Sequence, residues 1–249
     1  MYNSAIQRYL LRQSQITLTP RVALIDMDGT LYDSMPSHAR AWQQMMREVG
    51  VEVPIDDFFM FEGRTGASTI NILFNRAFNR DATPDECKLL YRRKTELFAE
   101  MPPVKPMPGA REFLEFMQQA GIRRVLVTGS GQRTLIDRLE RDFPGAFSPD
   151  LMITSRDVTH GKPDPEPYLA AMRMAGAQPN ECIVVENAPL GVESGSRAGA
   201  FTIGVTTGPI PAEALEEAGA DIVFPSMPYF ADSLPMLIYG MITTMNNYN

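Results

Sequence analysis

Two cysteines, Cys87 and Cys182, are too few and too far apart for a disulfide framework in a chain of 249 residues. A reduced, cytosolic setting is the expectation. Long apolar runs are missing too, and none reaches the roughly 20 residues of a membrane span. The first twenty residues contain Arg8 and Arg12 among short apolar runs. They lack the charged start and apolar stretch of a secretory signal, so a cytoplasmic location is expected. Internal repeats and low-complexity segments are absent. Positive charge is in deficit, with 23 Lys and Arg against 30 Asp and Glu and a net charge of −7. A nucleic-acid partner wants a basic face and is not expected, nor is a membrane. A small anionic substrate stays open, because a few local cations and a metal can still bind phosphate. At 44% hydrophobic and 21% charged residues the composition is that of a soluble globular protein. The length suits one large domain or one domain with an insertion.

What is present is organised around Arg21-Val22-Ala23-Leu24-Ile25-Asp26-Met27-Asp28-Gly29-Thr30-Leu31-Tyr32. A short apolar run closed by glycine reads as a strand buried on both faces. Two carboxylates at its end need a purpose, because buried charge is costly without a partner. Open α/β sheets collect ligands at the carboxyl ends of their strands. At i and i+2, Asp26 and Asp28 can point into one crevice while Gly29 lets the backbone turn. One carboxylate can attack phosphorus, the other can hand over a proton, and both can crowd round one hard cation. A solvated Asp-x-Asp-Gly turn fits the same residues, and motif matches alone carry false positives.

The pattern then turns helical. Helices are predicted over 36–50, with Ala39, Trp42, Met45, Met46 and Val49 on one side, and over 55–62 and 67–78. A fourth spans 84–101, with Leu89, Leu90, Leu97 and Phe98 buried. No strand signal separates Tyr32 from Pro102, and a parallel crossover does not need that much chain. Residues 33–104 are therefore read as an inserted helical cap domain, and 1–32 with 105–249 as the core domain. The prolines at 102, 103, 106 and 108 make a stiff return linker. The two thin connections, near 32–36 and 102–108, are natural hinges. Residues 1–20 read as an extension, a surface helix or partly ordered tail in which Ile6, Leu10 and Leu11 form one stripe.

Strand and helix alternate after the linker. Strands are expected at 124–128, 151–154, 182–186, 201–205 and 220–224, with helices at 110–119, 134–141, 167–175, 192–198 and 212–218. A final helix and polar tail occupy 228–249. The alternation predicts an α/β fold, a doubly wound parallel sheet with right-handed crossovers.

Three further strand ends or loops offer phosphate or metal chemistry. Thr128-Gly129-Ser130 leads into a helix and, with Gly131, can cradle an anion; an ordinary strand-to-helix turn fits equally. Gly161-Lys162-Pro163-Asp164-Pro165-Glu166-Pro167 is held by three prolines and can fix an ammonium beside developing negative charge. Glu186-Asn187 ends the run Ile183-Val184-Val185. A lone strand-end glutamate is usually structural; together with Asp26 and Asp28 it suits a magnesium site.

In this order the residues resemble the haloacid dehalogenase-like superfamily. Asp26-Met27-Asp28-Gly29-Thr30 resembles its first motif, Thr128 after Val125-Leu126-Val127 its second, Lys162 in Gly-Lys-Pro-Asp-Pro its third, and Glu186-Asn187 its fourth. The insertion resembles the helical cap of the β-phosphoglucomutase-like branch. The resemblance implies a Rossmann-like core and an aspartyl-phosphate enzyme. Asp26 would be the nucleophile and Asp28 the general acid and base. Thr128, Gly129 and Ser130 would bind phosphate, and Lys162 would neutralise charge. Magnesium would sit among Asp26, the Asp28 backbone oxygen, Glu186 and Asn187. The fourth motif usually ends in aspartate; Asn187 removes one negative charge, and Glu186 is expected to compensate as a direct ligand.

The cap loop Phe61-Glu62-Gly63-Arg64-Thr65-Gly66-Ala67-Ser68 is expected to choose the substrate. β-Phosphoglucomutases resemble Lys-Gly-Val-Ser-Arg there. Aligned on Gly63, this chain has Glu62 for the lysine and Gly66 for the arginine, and Arg64 and Thr65 are the remaining substrate candidates. His38 is read either as a proton partner for Asp28 or as a helix-surface histidine, and Trp42 as cap core. Hydrolysis of a small phosphomonoester, a sugar phosphate first, is the expected activity. The alternatives are mutase action on a hexose phosphate and a non-catalytic phosphosugar-binding protein.

Overall fold

A computed structural model describes residues 2–130 and 133–244, with the backbone alone for 133–137. The expected tail at 245–249 and Gly131 of the anion cradle lie outside the described residues. Strand β1 (Val22–Ile25) is wholly buried. It pairs in parallel with β4 (Arg123–Val127) on one side and β6 (Cys182–Glu186) on the other. Outside β4 lies β5 (Met152–Ile153); outside β6 lie β7 (Phe201–Val205) and then β8 (Ile222–Phe224). Every pair in this six-stranded sheet is parallel. Its order is β5-β4-β1-β6-β7-β8.

Alternate side chains of a strand serve opposite faces, and both faces here are covered. Ala23 and Ile25 of β1 join one core with Leu126, Ile183 and Val185. Val22 and Leu24 join the other with Val125, Val127 and Val184. The run from 22 to 25 is continuously apolar for that reason.

Between β1 and β4 the chain leaves the sheet through a two-stranded antiparallel ribbon, β2 (Tyr32–Asp33) with β3 (Lys105–Pro106). The two expected hinges are thus laddered to each other by backbone hydrogen bonds. Between them lie four helices: α2 (Met35–Glu48), α3 (Asp57–Met60), α4 (Gly66–Phe78) and α5 (Pro84–Ala99). The structure is therefore an α/β parallel sheet with an inserted helical cap. The cap departs from expectation in detail. The predicted helix over 55–62 forms only at Asp57–Met60. Leu89 is 62% exposed and Val49 is exposed, so neither belongs to its core.

The larger correction is the amino-terminal helix. Helix α1 (Asn3–Arg12) is neither surface nor tail: Ile6, Tyr9 and Leu10 are fully buried. The Tyr9 hydroxyl donates to Gly199 O at 3.0 Å, its ring meets Phe201 edge-on, and Arg12 pairs with Asp221 at 2.9 Å. Helix α11 (Met227–Thr243) packs beside it, with Gly240 close under Ile6. The stripe at 6 and 10 carries this packing, Tyr9 adds to it, and only Leu11 faces out. Of the described helices, none is long and apolar enough to cross a membrane.

Replacing Ile6 by alanine should lower the unfolding free energy by about 2–5 kcal/mol through loss of buried surface and a residual cavity. The exposed change Leu89→Ala should stay within about 0.5 kcal/mol. Urea unfolding of the two variants checks this; equal small effects would mean that α1 adds nothing to the core.

Candidate active site

The first carboxylate is placed by the central strand. The Asp26 amide continues the ladder, donating to Val185 O at 3.1 Å, and its side chain is 5% exposed. The chain then turns back, with Gly29 N donating to Tyr32 O and Leu31 N to Met27 O. Gly29 has φ +82°, and a Cβ there would lie 2.1 Å from Asn187 Nδ2. Only glycine fits a left-handed turn pressed against the fourth-motif loop.

Lys162 comes from the loop ahead of helix α8 (Glu166–Ala175). Its ammonium donates to Asp26 Oδ1 at 2.5 Å, to Glu186 Oε1 at 2.6 Å and to Val127 O at 3.1 Å. Three strand ends therefore converge on one buried nitrogen. The loop owes its shape to hydrogen bonds as well as prolines. Glu166 accepts from the Thr159 and His160 amides, Asp164 accepts from the Glu166 amide, and Ser194 Oγ donates to Asp164 O. His160 is exposed and pairs with Glu166.

Burial opposes the charge on Lys162, but Asp26 and Glu186 outweigh it and hold the ammonium above its ordinary range. Burial raises the Asp26 carboxyl well above its usual value, and Lys162 only partly counters this. Asp26 Oδ2 is buried with no hydrogen-bond partner. An orphaned carboxylate oxygen of this kind fits a cation.

Glu186 is turned towards the lysine. Its Oε1 also accepts from the Tyr168 hydroxyl at 2.6 Å, and its Oε2 accepts from the Asn187 amide at 3.2 Å. Oε1 is engaged by Lys162 and Tyr168, while Oε2, with one hydrogen bond, keeps a lone pair on the Asn187 side. Asn187 Oδ1 accepts from Thr30 Oγ1 at 3.1 Å and keeps a second lone pair. Among the described residues, no three His, Cys, Asp or Glu side chains cluster as a metal site. The available donors are mixed: Asp26 Oδ2, an asparagine carbonyl and a backbone oxygen.

Asp28 lies at the cap boundary. Ser34 Oγ donates to its Oδ1 at 2.6 Å, and His38 Nε2 lies 3.2 Å from the same oxygen. His38 is buried and stacked on Phe98. Its Nδ1 lies 2.6 Å from Nζ of Lys94, a lysine buried on α5. As an ammonium Lys94 can only donate; Nδ1 then accepts, and the ring proton falls on Nε2, facing Asp28. Burial raises the Asp28 carboxyl, but His38, Ser34 and Lys94 together hold it below its usual value. Burial, then Lys94, lowers His38. Burial also pulls Lys94 down to about 7, against the attraction of Asp28.

Of the two readings of His38, the structure makes it a partner of Asp28. Trp42 is half-buried: it stacks on Phe58, lies 5.3 Å from the Lys94 ammonium and lines the cavity. Lys94 itself was not anticipated. Its spacing from Leu90, Leu97 and Phe98 puts it on their helix face, a signal available in the sequence.

Asp26, Asp28, Thr128, Gly129 and Ser130 border one cavity of about 70 Å³, closed over by His38, Gly63, Arg64 and Lys94 of the cap. Thr128 Oγ1 accepts from the Ser130 amide at 2.9 Å, which shapes the 128–130 turn. Gly63 has φ +89°, and a Cβ there would touch Lys162 Cδ at 3.0 Å. The cap backbone therefore lies directly over the lysine. Arg64 Nε is buried without a hydrogen-bond partner. Thr65 is the N-cap of α4: its hydroxyl oxygen accepts from the Ser68 amide at 3.3 Å.

Comparison with known proteins agrees with this geometry. Residues 20–199 match the family model of the haloacid dehalogenase-like hydrolases. The chain belongs to that family of enzymes. It is 30% identical over 204 residues to hexitol phosphatase A of Escherichia coli, covering 82% of this chain and 90% of the relative. It is 32% identical to the phosphorylated carbohydrates phosphatase of Thermotoga maritima, over 79% of this chain and 90% of the relative. A solved structure from Bacteroides vulgatus, provisionally named a beta-phosphoglucomutase, superposes with a TM-score of 0.93 at 44% identity. That match covers 96% of this chain and 98% of the other.

The Lys94 environment makes a pH prediction. The folded chain holds its proton only to about pH 7, whereas the unfolded lysine titrates near 10.5. Between these values the unfolded state binds the extra proton, so this group makes stability rise with pH from about 7 to 10.5. Lys94→Met should flatten that rise relative to wild type in urea unfolding at stepped pH. Parallel curves for the two proteins would show that Lys94 is not depressed.

Proposed function

We propose that this enzyme is a magnesium-dependent phosphatase of a small phosphorylated carbohydrate, working through a phosphoryl group carried on Asp26. The observation that carries the reading is the single buried centre. There Lys162 Nζ joins Asp26 Oδ1 to Glu186 Oε1, while Asp26 Oδ2 is left without a partner. Phosphoryl transfer asks for alignment and charge stabilisation above all, and the site supplies both.

In the first half-reaction an Asp26 oxygen forms a bond to phosphorus and the bond to the leaving sugar oxygen breaks. That oxygen takes a proton from Asp28. Asp28 draws it from His38 Nε2, and Lys94 replenishes the ring at Nδ1. The hydrogen bonds His38–Asp28 and Lys94–His38 support this order. In the second half-reaction water attacks phosphorus, Asp28 accepts its proton, and the bond from phosphorus to Asp26 breaks. The backbone amides and hydroxyls at Thr128–Ser130 and the Lys162 ammonium hold the phosphoryl oxygens. Glu186 and Tyr168 orient Lys162. Asp26 Oδ2, the Asp28 backbone oxygen and Asn187 Oδ1 would hold magnesium, which neutralises charge on the transferring group.

The cap, residues 33–104, is proposed to open and close about the ribbon at 32–33 and 105–106. The cavity between cap and sheet, about 70 Å³, has room for a few waters, and cap movement would widen it for a sugar phosphate. Arg64, with its unpartnered Nε, is the proposed contact to the sugar. The names of the two phosphatase relatives support a carbohydrate phosphate as the substrate class.

A second reading is mutase action. Arg64 at the cap face and the likeness to the Bacteroides vulgatus structure favour it. Against it, Glu62 and Gly66 stand where the mutase loop carries basic residues.

With magnesium and a panel of sugar phosphates, wild type should release free phosphate, and Asp26→Asn should lose on the order of 10³-fold or more in kcat. Activity surviving in Asp26→Asn would overturn the covalent reading. Incubation with β-glucose 1-phosphate separates the two activities. Free phosphate supports the hydrolase; glucose 6-phosphate formed only with a bisphosphate primer supports the mutase.

A further inference from the structure

Glu62 is the cap residue with no role so far. It is buried, 9% exposed, although it sits on a loop of the insertion rather than on the core. Its Oε1 accepts from Asn187 Nδ2 at 3.0 Å. The same oxygen lies 2.9 Å from where a Gly29 Cβ would stand, so it is wedged between the first-motif turn and the fourth-motif loop.

The charge count around it is unbalanced. Asp26, Asp28, Glu62 and Glu186 bring four carboxylates into one buried region. Among the described residues, Lys162 is the one ammonium bonded to any of them, and His38 stands between Lys94 and Asp28. Buried carboxylates without matching positive charge are costly, and a cation is what relieves them. Among the described residues no cationic side chain is bonded to Glu62; its partner is the neutral amide of Asn187. The residue in contact with Glu62 is the one at which a negative charge is missing from the cation donors, and the unpartnered Asp26 Oδ2 is nine-tenths buried in the same region.

We propose that Glu62 is the anionic partner of the bound cation that Asn187 cannot be. The cation site is then built from both parts of the chain, and metal binding and cap closure become one event. This rests on the reading that a divalent cation sits beside Asp26 and Asn187. It assigns to a cap side chain a charge that would otherwise come from the core. It also gives the exchange of a basic for an acidic residue at position 62 a physical reason.

The test is calorimetric titration of magnesium chloride into wild type, Glu62→Gln, Asn187→Asp and the double variant, each confirmed folded by its thermal transition. Glutamine keeps an oxygen for the Asn187 amide and removes only the charge. Glu62→Gln should weaken magnesium binding by about tenfold, the scale seen for supporting partners of metal ligands. Adding Asn187→Asp to Glu62→Gln should bring the affinity back to within about threefold of wild type, as expected when one charge replaces the other. Magnesium should also slow amide hydrogen exchange across the hinge ribbon, at Tyr32–Asp33 and Lys105, in wild type but not in Glu62→Gln. Unchanged affinity in Glu62→Gln, or no recovery in the double variant, overturns the proposal. If wild type itself binds no magnesium, the phosphatase reading falls with it. If wild type binds magnesium, and Asp26→Asn is inactive while Glu62→Gln binds as tightly as wild type, only the role of Glu62 falls.

Discussion

One ammonium holds this site together. Lys162 reaches Asp26 from one side and Glu186 from the other while taking the Val127 carbonyl as a third acceptor. A buried carboxylate pair would repel, and a buried lysine alone would shed its proton. Together they form a charged cluster that neither strand could hold separately. Its position follows from the sheet order. Strand β1 lies between β4 and β6, so the ends of all three open on one crevice. The lysine arrives on a loop pinned by prolines and by the Glu166, Asp164 and Ser194 hydrogen bonds.

The cap adds what the sheet lacks. The core contributes Asp26, the Thr128–Ser130 turn and Lys162. The helical insertion contributes His38, Lys94, Arg64 and Glu62 to the same region. Gly63 is what allows that approach, because its backbone passes over Lys162 where a side chain would strike it. Asp28 stands at the boundary and is tuned from the cap side: burial alone would raise its carboxyl, and His38, Ser34 and Lys94 reverse the direction. Cap position and proton chemistry are thus linked through one carboxylate. A closed cap also excludes water and strengthens every charge interaction beneath it.

Much of this could be read from the residues in order. The apolar run at 22–25, the carboxylates at i and i+2, the proline-held lysine and the acid closing 183–185 are local patterns, each open to a bland reading alone, whose order along the chain narrows the choice. The helix at 110–119 and the strands at 182–186 and 201–205 form at the predicted bounds. Where the reading failed, a residue's surroundings decided. Leu89 and Lys94 lie on one helix, and composition suggests leucine inside and lysine outside. The opposite holds, because Lys94 faces His38 and three aromatic rings of the cap. Helix α1 looked like a tail because its apolar stripe is short. It is core because α11 and the β7–β8 edge, some 200 residues away in sequence, supply the other half of the contact.

Sequence by itself determined the alternation of elements, the family and its class of chemistry, and the strand ends at which Asp26, Thr128 and Glu186 stand, since these depend on neighbours a few residues apart. Tertiary structure alone decided which charges share a buried space: that Glu186 turns to Lys162, that Lys94 stands behind His38, and that Glu62 of the cap meets Asn187 of the core. Such pairings join residues 24 to 125 positions apart. Their energies depend on desolvation and distance in three dimensions, which no local pattern encodes.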